Sequence, residues 1–390
     1  MALLKPLLAP ALEKVVFVGY GPFDCNSGGH IAGFAGELAR LGYAVGVAGR
    51  DGVAGAYAFG PPAFEMFTLQ DLARDPIGTI GFDGTFAPER TMLVCWTPRK
   101  ASRRAVVKAR RKRPIPYVVH FEDNEELLSG LRTGAEDDDP EDRRAFVAGA
   151  AGATLIEPRL GELLPPGLPS LVLEPGVDFG LFGAPLPPHR RATLLRAAGV
   201  APDAAVLVYP GNIHRANQEE MFALYRALKL LNGRGRRLAL IKTGKDDPGI
   251  TGGLGFDPAE AGVVEMGVVP RPFLVELLKC ADLFVQPGAP GPFNDYRLPS
   301  KVPEFMAVGR PLVLPAANVG LRLRDGVDAL LLRRGTPDEI AARVAAILDD
   351  PALAARLAGN AQAFARRTWR WDVQGRKLAR FLERRRRAAA

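Results

Sequence analysis

LFVQPGAPGPFNDYRLPSKVPEFMAVGRPLVLPA, residues 283–316, reads as strand, glycine–proline loop, short helix and strand, with one acid inside the helix, Glu304. Residues 283–285 are a short apolar run, and Ser300 stands where a helix cap belongs. Pro303 is tolerated because the N–H groups of a first turn have no intrahelical partner. Val302, Phe305 and Met306 share one face and leave Glu304 on another. Gly309 ends the helix, and residues 311–314 start the next buried strand. Ligands of open α/β sheets bind beyond the carboxyl ends of the strands, where this loop and helix N-terminus fall. A carboxylate placed there suits a ribose or sugar hydroxyl.

The stretch resembles the donor-binding segment of retaining GT-B glycosyltransferases, in particular the family-four group (glycosyl transferases group 1). Its members carry two glutamates ahead of a small-residue helix and a GRPLV-type strand. The second falls on Glu304, and Pro299, Ser300 and Lys301 match a variant approach to the helix. Eight residues before Glu304, where the first glutamate would stand, this chain has Tyr296, with Asp295 beside it. The resemblance implies an α/β protein of the GT-B fold, two Rossmann-like doubly wound domains facing a cleft.

Working outward, apolar runs at 206–209, 239–242, 263–265, 283–285, 311–314 and 329–332 alternate with helical patterns, the sequence form of a Rossmann-like domain. Amphipathic helices follow at 337–348 and 351–367, and a last one near 371–387 is sent back to the first domain by the resemblance. In YPGNIHRANQEE, residues 209–220, the resembling enzymes place an Arg just past the glycine and a Lys further on as phosphate clamps. Here Gly211 is followed by Asn212, and Asn217 takes the Lys position. Cations for a diphosphate must then come from elsewhere, in the order Lys301, Arg215, Lys245, Lys242 and Arg297. Ser300 and backbone groups around Val268 and Val269 complete the donor side by resemblance. Backbone recognition leaves no side-chain code, so the nucleotide base is open.

The first half repeats the alternation, with runs at 15–18, 43–48, 91–95, 117–120, 153–156 and 171–173. Gly28, Gly29 and His30 are expected between the first strand and its helix at 30–41. They read either as an ordinary tight turn or, by resemblance, as an acceptor-side loop. His120 ends an apolar strand and is expected at the carboxyl edge facing the cleft. It reads as a core or capping histidine or, by resemblance, as a side chain against the donor sugar. Glu122 is a weaker acid/base candidate. EPGVDFGLF, residues 174–182, resembles the end of the N-terminal domain, with the proline-rich GAPLPPHRR as linker. The expected domains are residues 1–185 on the acceptor side, 186–368 on the donor side, and 369–390 as a returning helix with a basic tail.

A chain of 390 residues is too long for one core, and 47% hydrophobic content suits a globular protein. It shows neither a membrane-length apolar run nor a charged leader, which makes a cytoplasmic protein the expectation. Cys25, Cys95 and Cys280 lack metal-ligand spacing. The net charge of +8 is uneven, with nine Lys or Arg and no acid between Arg99 and Arg113, and a run of arginines at 384–387. These runs read as a solvated helix face with a disordered tail, or as a surface for anionic lipid headgroups or a phosphorylated acceptor. They lack the interleaved aromatics of a nucleic-acid surface. The acidic residues 137–139 lie in a polar loop and read as solvated rather than metal-binding.

The resulting expectation is a hexosyltransferase-type enzyme moving a sugar from a nucleotide-diphosphate sugar to a hydroxyl acceptor, with retention, no metal and no resident cofactor. Peripheral association with an anionic membrane is part of it; nucleic acid is not. A GT-B protein that binds sugar nucleotides or a partner without transfer is the alternative, motivated by Asn212, Asn217 and Tyr296. A sugar-nucleotide epimerase is the third.

Overall fold

The computed structural model describes residues 12–23, 25–50, 62–111, 113–127 and 139–389. The chain divides into two compact α/β units: one takes in the chain up to Glu126, residues 139–176 and the segment from Trp371 onward, the other Val177–Arg370.

Unit 1 is built on β1 (Lys14–Gly19), β2 (Ala44–Gly49), β3 (Glu65–Thr68), β4 (Thr91–Trp96), β5 (Tyr117–Phe121), β6 (Ala153–Leu155) and β7 (Ser170–Val172). All pair in parallel, in the order β3-β2-β1-β4-β5-β6-β7. β1, β4 and β5 are buried along their whole length, which is why they read as unbroken apolar runs rather than alternating ones. The half-exposed edge strand β3 carries no such run, and the sequence pattern passes over it. Strand order reverses between β1 and β4, so ligands are expected beyond the carboxyl ends of those strands.

The helix Asn26–Arg40 buries Ile31, Phe34, Ala35 and Leu38, one face at helical spacing. It begins earlier than expected: Gly28 and Gly29 lie inside its first turns rather than in the loop. The reason is steric. A Cβ on Gly28 would lie 2.3 Å from the Phe23 carbonyl oxygen, so glycine lets the preceding loop fold over the helix start. The last helix, Trp371–Ala388, packs on this one inside unit 1. A Cβ on Gly33 would sit 2.2 Å from the Trp371 ring, and Phe34 meets that ring edge-on at 5.2 Å.

The basic runs are more structural than solvated. Arg99 forks onto Glu125 and lies over Tyr20, Arg103 is buried and bonds the Pro98 carbonyl and Asp142, and Arg110 bonds the Ile115 carbonyl. Arg104, Lys108, Arg111 and Arg113 are exposed. Residues 384–387 continue the last helix instead of forming a disordered tail, and Arg386 turns inward to the Glu89 carbonyl. Asp139 caps the helix Pro140–Ala148, while Asp137 and Asp138 lie outside the described residues.

Unit 2 contains β8 (Ala205–Pro210), β9 (Leu238–Thr243), β10 (Val263–Glu265), β11 (Phe284–Val285), β12 (Leu312–Pro315) and β13 (Leu330–Leu332). They form parallel ladders β10-β9-β8 and β11-β12-β13, joined by a parallel bridge between Leu207 and Leu283. The combined order reverses between β8 and β11, a second switch point. The division from unit 1 falls at Gly176, ahead of the proline-rich stretch, because the short helix Phe179–Gly183 docks in unit 2 with Phe182 buried. Among the described residues no helix is long and apolar enough to cross a membrane.

Candidate active site

In unit 2 the loops after β8 and β9 meet. Gly211 has φ 150° and Gly244 φ 112°, and a Cβ on Gly244 would fall 2.7 Å from the Gly211 carbonyl oxygen. Only glycine accommodates both the backbone conformation and that approach. Over Gly211 reaches Lys301, from the start of the helix Lys301–Val308. Its Nζ donates to the Tyr209 hydroxyl at 3.1 Å and lies 4.4 Å above the ring centre. Burial of Val302, Phe305 and Met306, with Phe305 stacked on Phe284 of β11 at 4.1 Å, fixes that helix on the sheet. Ser300 departs from expectation: its backbone is already helical and its side chain makes no capping hydrogen bond.

Glu304 sits one turn beyond Lys301, 17% exposed, and is ion-paired to Arg271 at the start of the helix Arg271–Cys280. Arg271 in turn lies over Phe182 at 5.3 Å. The carboxylate is thus held by a guanidinium and retains lone pairs for other donors.

The cations named from sequence separate into two sets. Lys242 is 2% exposed and ion-paired to Asp246, which also accepts from the Ile213 amide at 2.6 Å. It braces the loops rather than facing a ligand, because burial demands a partner for its charge. Arg297 is engaged by Glu220 at 3.3 Å and by Asn294 at 2.8 Å. Arg215 and Lys245 are exposed and, with Lys301, form no ion pair among the described residues. Val268 is exposed and Val269 half-buried after β10.

The two asparagines at the expected clamp positions tie the loops together. Asn212 accepts from the Lys245 amide at 2.8 Å, and buried Asn217 accepts from the His214 amide at 2.8 Å while donating to the Asn212 carbonyl at 3.0 Å. Glu220, in the first turn of the helix Gln218–Gly233, accepts from Asn294 at 2.6 Å. Burial raises its pKa against the opposing pull of Arg297.

Unit 1 gathers its polar groups around Glu122, just past β5. Glu122 Oε1 lies 2.6 Å from His30 Nδ1 and accepts from Trp96 Nε1 at 3.0 Å, while Oε2 accepts from Ser27. Burial would raise this carboxyl, but the bond and charge of His30 outweigh it and hold the pKa at about 2. Tyr20 approaches Ser27 at 3.2 Å, and burial pushes its phenol up to about 12. His120 departs from the open placement expected of it. It is 1% exposed, stacked on Trp96 at 3.7 Å, with Nδ1 2.8 Å from Thr154 Oγ1. Phe121, not His120, ends the strand, and β4 and β6 cover the ring from either side. Burial depresses its pKa to about 3.

Residues 204–350 match the family described as Glycosyl transferases group 1. The match falls within unit 2. Curated relatives named D-inositol 3-phosphate glycosyltransferase are 30% identical over 220 residues in Thermobispora bispora and 31% over 215 in Actinosynnema mirum. Those alignments take in 53% and 52% of this chain and 49% and 48% of the relatives, so the chain spans about half the length of the curated relatives it matches. The chain is similar in structure to HepE of Anabaena, solved with UDP and glucose, at TM-score 0.69 and 18% identity, covering 95% of this chain and 99% of that one. Sucrose-phosphate synthase from Thermosynechococcus elongatus gives TM-score 0.69 at 14% identity over 97% and 100%. WaaG, a glycosyltransferase involved in lipopolysaccharide biosynthesis, gives 0.62 at 14% over 94% and 99%. These likenesses establish the GT-B fold, with two Rossmann-like units.

The matched segment therefore contains the β8 and β9 loops, Lys301 and Glu304. Sequence reasoning missed Arg271 and Glu220. Both lie in first turns of helices that follow strand ends, a position that signals a ligand-side charge, but their partners are distant in sequence. Glu122 was ranked low, because nothing local tells that Ser27, His30 and Trp96 converge on it.

Proposed function

We propose that this protein transfers a sugar from a nucleotide-diphosphate sugar to a hydroxyl acceptor. One observation carries the reading: a single short helix presents Lys301, fixed on Tyr209 above the Gly211 loop, and Glu304, fixed by Arg271. A cation and a carboxylate one turn apart, beyond strand ends, are suited to a diphosphate and to ribose or sugar hydroxyls respectively. Arg215 and Lys245, on the adjoining loops, add charge for a leaving diphosphate, whose negative charge grows as the glycosidic bond breaks. The group 1 match and the UDP-glucose complex of HepE support a nucleotide-sugar donor.

Transfer with retention and without a metal fits this arrangement, since the departing phosphate oxygen takes the acceptor proton and lysine and arginine meet its charge. No resident cofactor is needed, because the nucleotide sugar is a co-substrate. Exposed Arg104, Lys108, Arg111 and Arg113, with exposed Val107 among them, support peripheral attachment to an anionic membrane from the cytoplasmic side. The names of the curated relatives recommend a phosphorylated polyol as the first acceptor to try.

The test is a thermal-shift screen against UDP, GDP, ADP, dTDP and CDP, followed by UDP-glucose with 1D-myo-inositol 3-phosphate and assay of released nucleotide. One nucleotide should stand out. A binding protein without transfer, the reading that the bracing roles of Asn212 and Asn217 favour, would show the shift with no release for any donor and acceptor tried. Absence of a shift with all five nucleotides refutes both.

A further inference from the structure

We propose that Arg297 reads the sugar of the donor, and that the sugar it suits carries a carboxylate, so that the donor class is a nucleotide-diphosphate hexuronate. The inference rests on the transfer reading above and narrows its substrate.

Charged groups follow the strand order β10-β9-β8-β11-β12 along the carboxyl edge of unit 2. Glu304 is paired to Arg271, whose helix follows β10, and on the same side Val268 is 76% exposed, an apolar face for a base. Lys301 lies over the end of β8, on Tyr209. Arg297 comes after β11. It is held by Glu220, from the helix that follows β8, and by Asn294, whose carbonyl accepts from Asn318 beyond β12 at 2.9 Å. A nucleotide sugar is itself linear, nucleoside then diphosphate then sugar. With the ribose at Glu304 and the diphosphate at Lys301, the sugar falls on the β11 side, where Arg297 stands.

The direction of Arg297 is fixed. Nε and Nη2 donate to Asn294 Oδ1 at 3.2 and 2.8 Å, Nη2 reaches Glu220 Oε2 at 3.3 Å, and the guanidinium lies over the Phe293 ring at 3.7 Å. Asn294 is anchored in turn, donating to Glu220 at 2.6 Å and to the Ala289 carbonyl at 2.8 Å. Gly288, with φ 135°, makes room for them: a Cβ there would lie 2.8 Å from both Asn294 Nδ2 and Glu220 Oε1. What remains of Arg297 is the pair of N–H groups on Nη1. They have no hydrogen-bond partner among the described residues, and Nη1 is not buried.

A guanidinium is always charged and only donates, so its open edge takes an acceptor, and an ionised acceptor best. Arg297 and Lys301 both act on Glu220 as cations. Two cations against one acid leave a positive surplus on the sugar side even with Glu220 ionised. A hexuronate differs from a hexose at one carbon, where a planar carboxylate replaces a hydroxymethyl group. That carboxylate gains a charge-assisted bond from Nη1, and the neutral hydroxyl does not.

Isothermal titration of the full chain with UDP, UDP-glucose and UDP-glucuronate reads the contribution of the sugar. UDP-glucuronate should bind roughly 10-fold or more tightly than UDP-glucose, the worth of one hydrogen bond to a charged group. Arg297→Gln should erase that ratio while the affinity for UDP stays within about 2-fold. Because this change leaves Glu220 without its ion pair, Arg297→Gln combined with Glu220→Gln repeats the measurement with no stranded carboxylate, and the ratio should again be lost. Equal or weaker binding of UDP-glucuronate by the wild type overturns the proposal and makes the pair with Glu220 a brace for the loop. A ratio that survives in both variants overturns it too, as does a parallel loss of UDP affinity, which would put Arg297 on the diphosphate. A wild type that binds UDP without preferring the uronate fails here alone. One that does not bind UDP at all refutes the UDP-sugar reading, and this inference with it.

Discussion

Removing the Lys301 ammonium should weaken nucleotide-diphosphate binding without unfolding unit 2, and Lys301→Met tests this at nearly constant length. Among the described residues the ammonium's one hydrogen-bond partner is the Tyr209 hydroxyl at 3.1 Å, and Glu220, whose ionised form it also favours, keeps its ion pair with Arg297. A hydrogen bond to a charged group contributes ~1.5–3 kcal/mol, which corresponds to roughly 10–100-fold in affinity. At ~100 times its dissociation constant a nucleotide stabilises the protein by ~2.7 kcal/mol. After the substitution the same concentration is only ~10 to ~1 times that constant, and the stabilisation falls to ~1.4 or ~0.4 kcal/mol. Urea denaturation with and without UDP measures it. Lys242→Met is the comparison that separates charge from architecture: it should lower the ligand-free midpoint, because Asp246 loses a buried partner, while the UDP increment is largely kept. Should Lys301→Met retain the full UDP increment, the diphosphate is gripped elsewhere and the site assignment is wrong.

Glu304→Gln should cut kcat/KM by roughly 10–100-fold while costing UDP less, because it loses a charged acceptor for hydroxyls and leaves Arg271 without its ion pair. Wild-type rates in that variant would remove Glu304 from the mechanism. Stability should fall in acid in two steps. His120, held neutral in the fold with a pKa of about 3, is protonated first in the unfolded chain, so stability drops as pH falls from ~6.5 toward 3, by about 1.4 kcal/mol per pH unit at most. Glu122, depressed to about 2, contributes stability that is full above ~4.5 and is lost below it. Urea midpoints from pH 7 to pH 3 should be flatter for His120→Gln than for wild type, and parallel curves would refute the assignment. Gly33→Ala should destabilise by ~1–3 kcal/mol, since its methyl group would collide with Trp371, and Trp371→Ala in the same chain should recover part of the loss. Exchanging Arg104, Lys108 and Arg111 for Glu should abolish salt-sensitive flotation with anionic liposomes; unchanged flotation would place membrane contact elsewhere.

Much of the architecture is legible in the chain because parallel strands buried on both faces must be continuous apolar runs. KVVFVG, TMLVCW, YVVHF and LALIKT announce themselves, and the helix 301–308 follows from the spacing of Val302, Phe305 and Met306 around Glu304. Those signals are local: they depend on neighbours within a turn or a strand. What the charged and polar residues do is not local. Lys242 and Lys245 lie three positions apart on one strand end, yet one is buried against Asp246 and the other exposed, because only the fold decides which faces the packed loops. His120 ends an apolar run as a site residue would, but it lies under Trp96, while His30 keeps part of its ring exposed. Glu122 draws its partners from 26, 92 and 95 residues away, and Arg271 reaches Glu304 across 33. Residue types and periodicity determined the layers and where a site could form. Which side chains meet there was decided by the convergence of parallel strand ends, which brings distant chain segments to one edge and leaves each charge to find its partner in space.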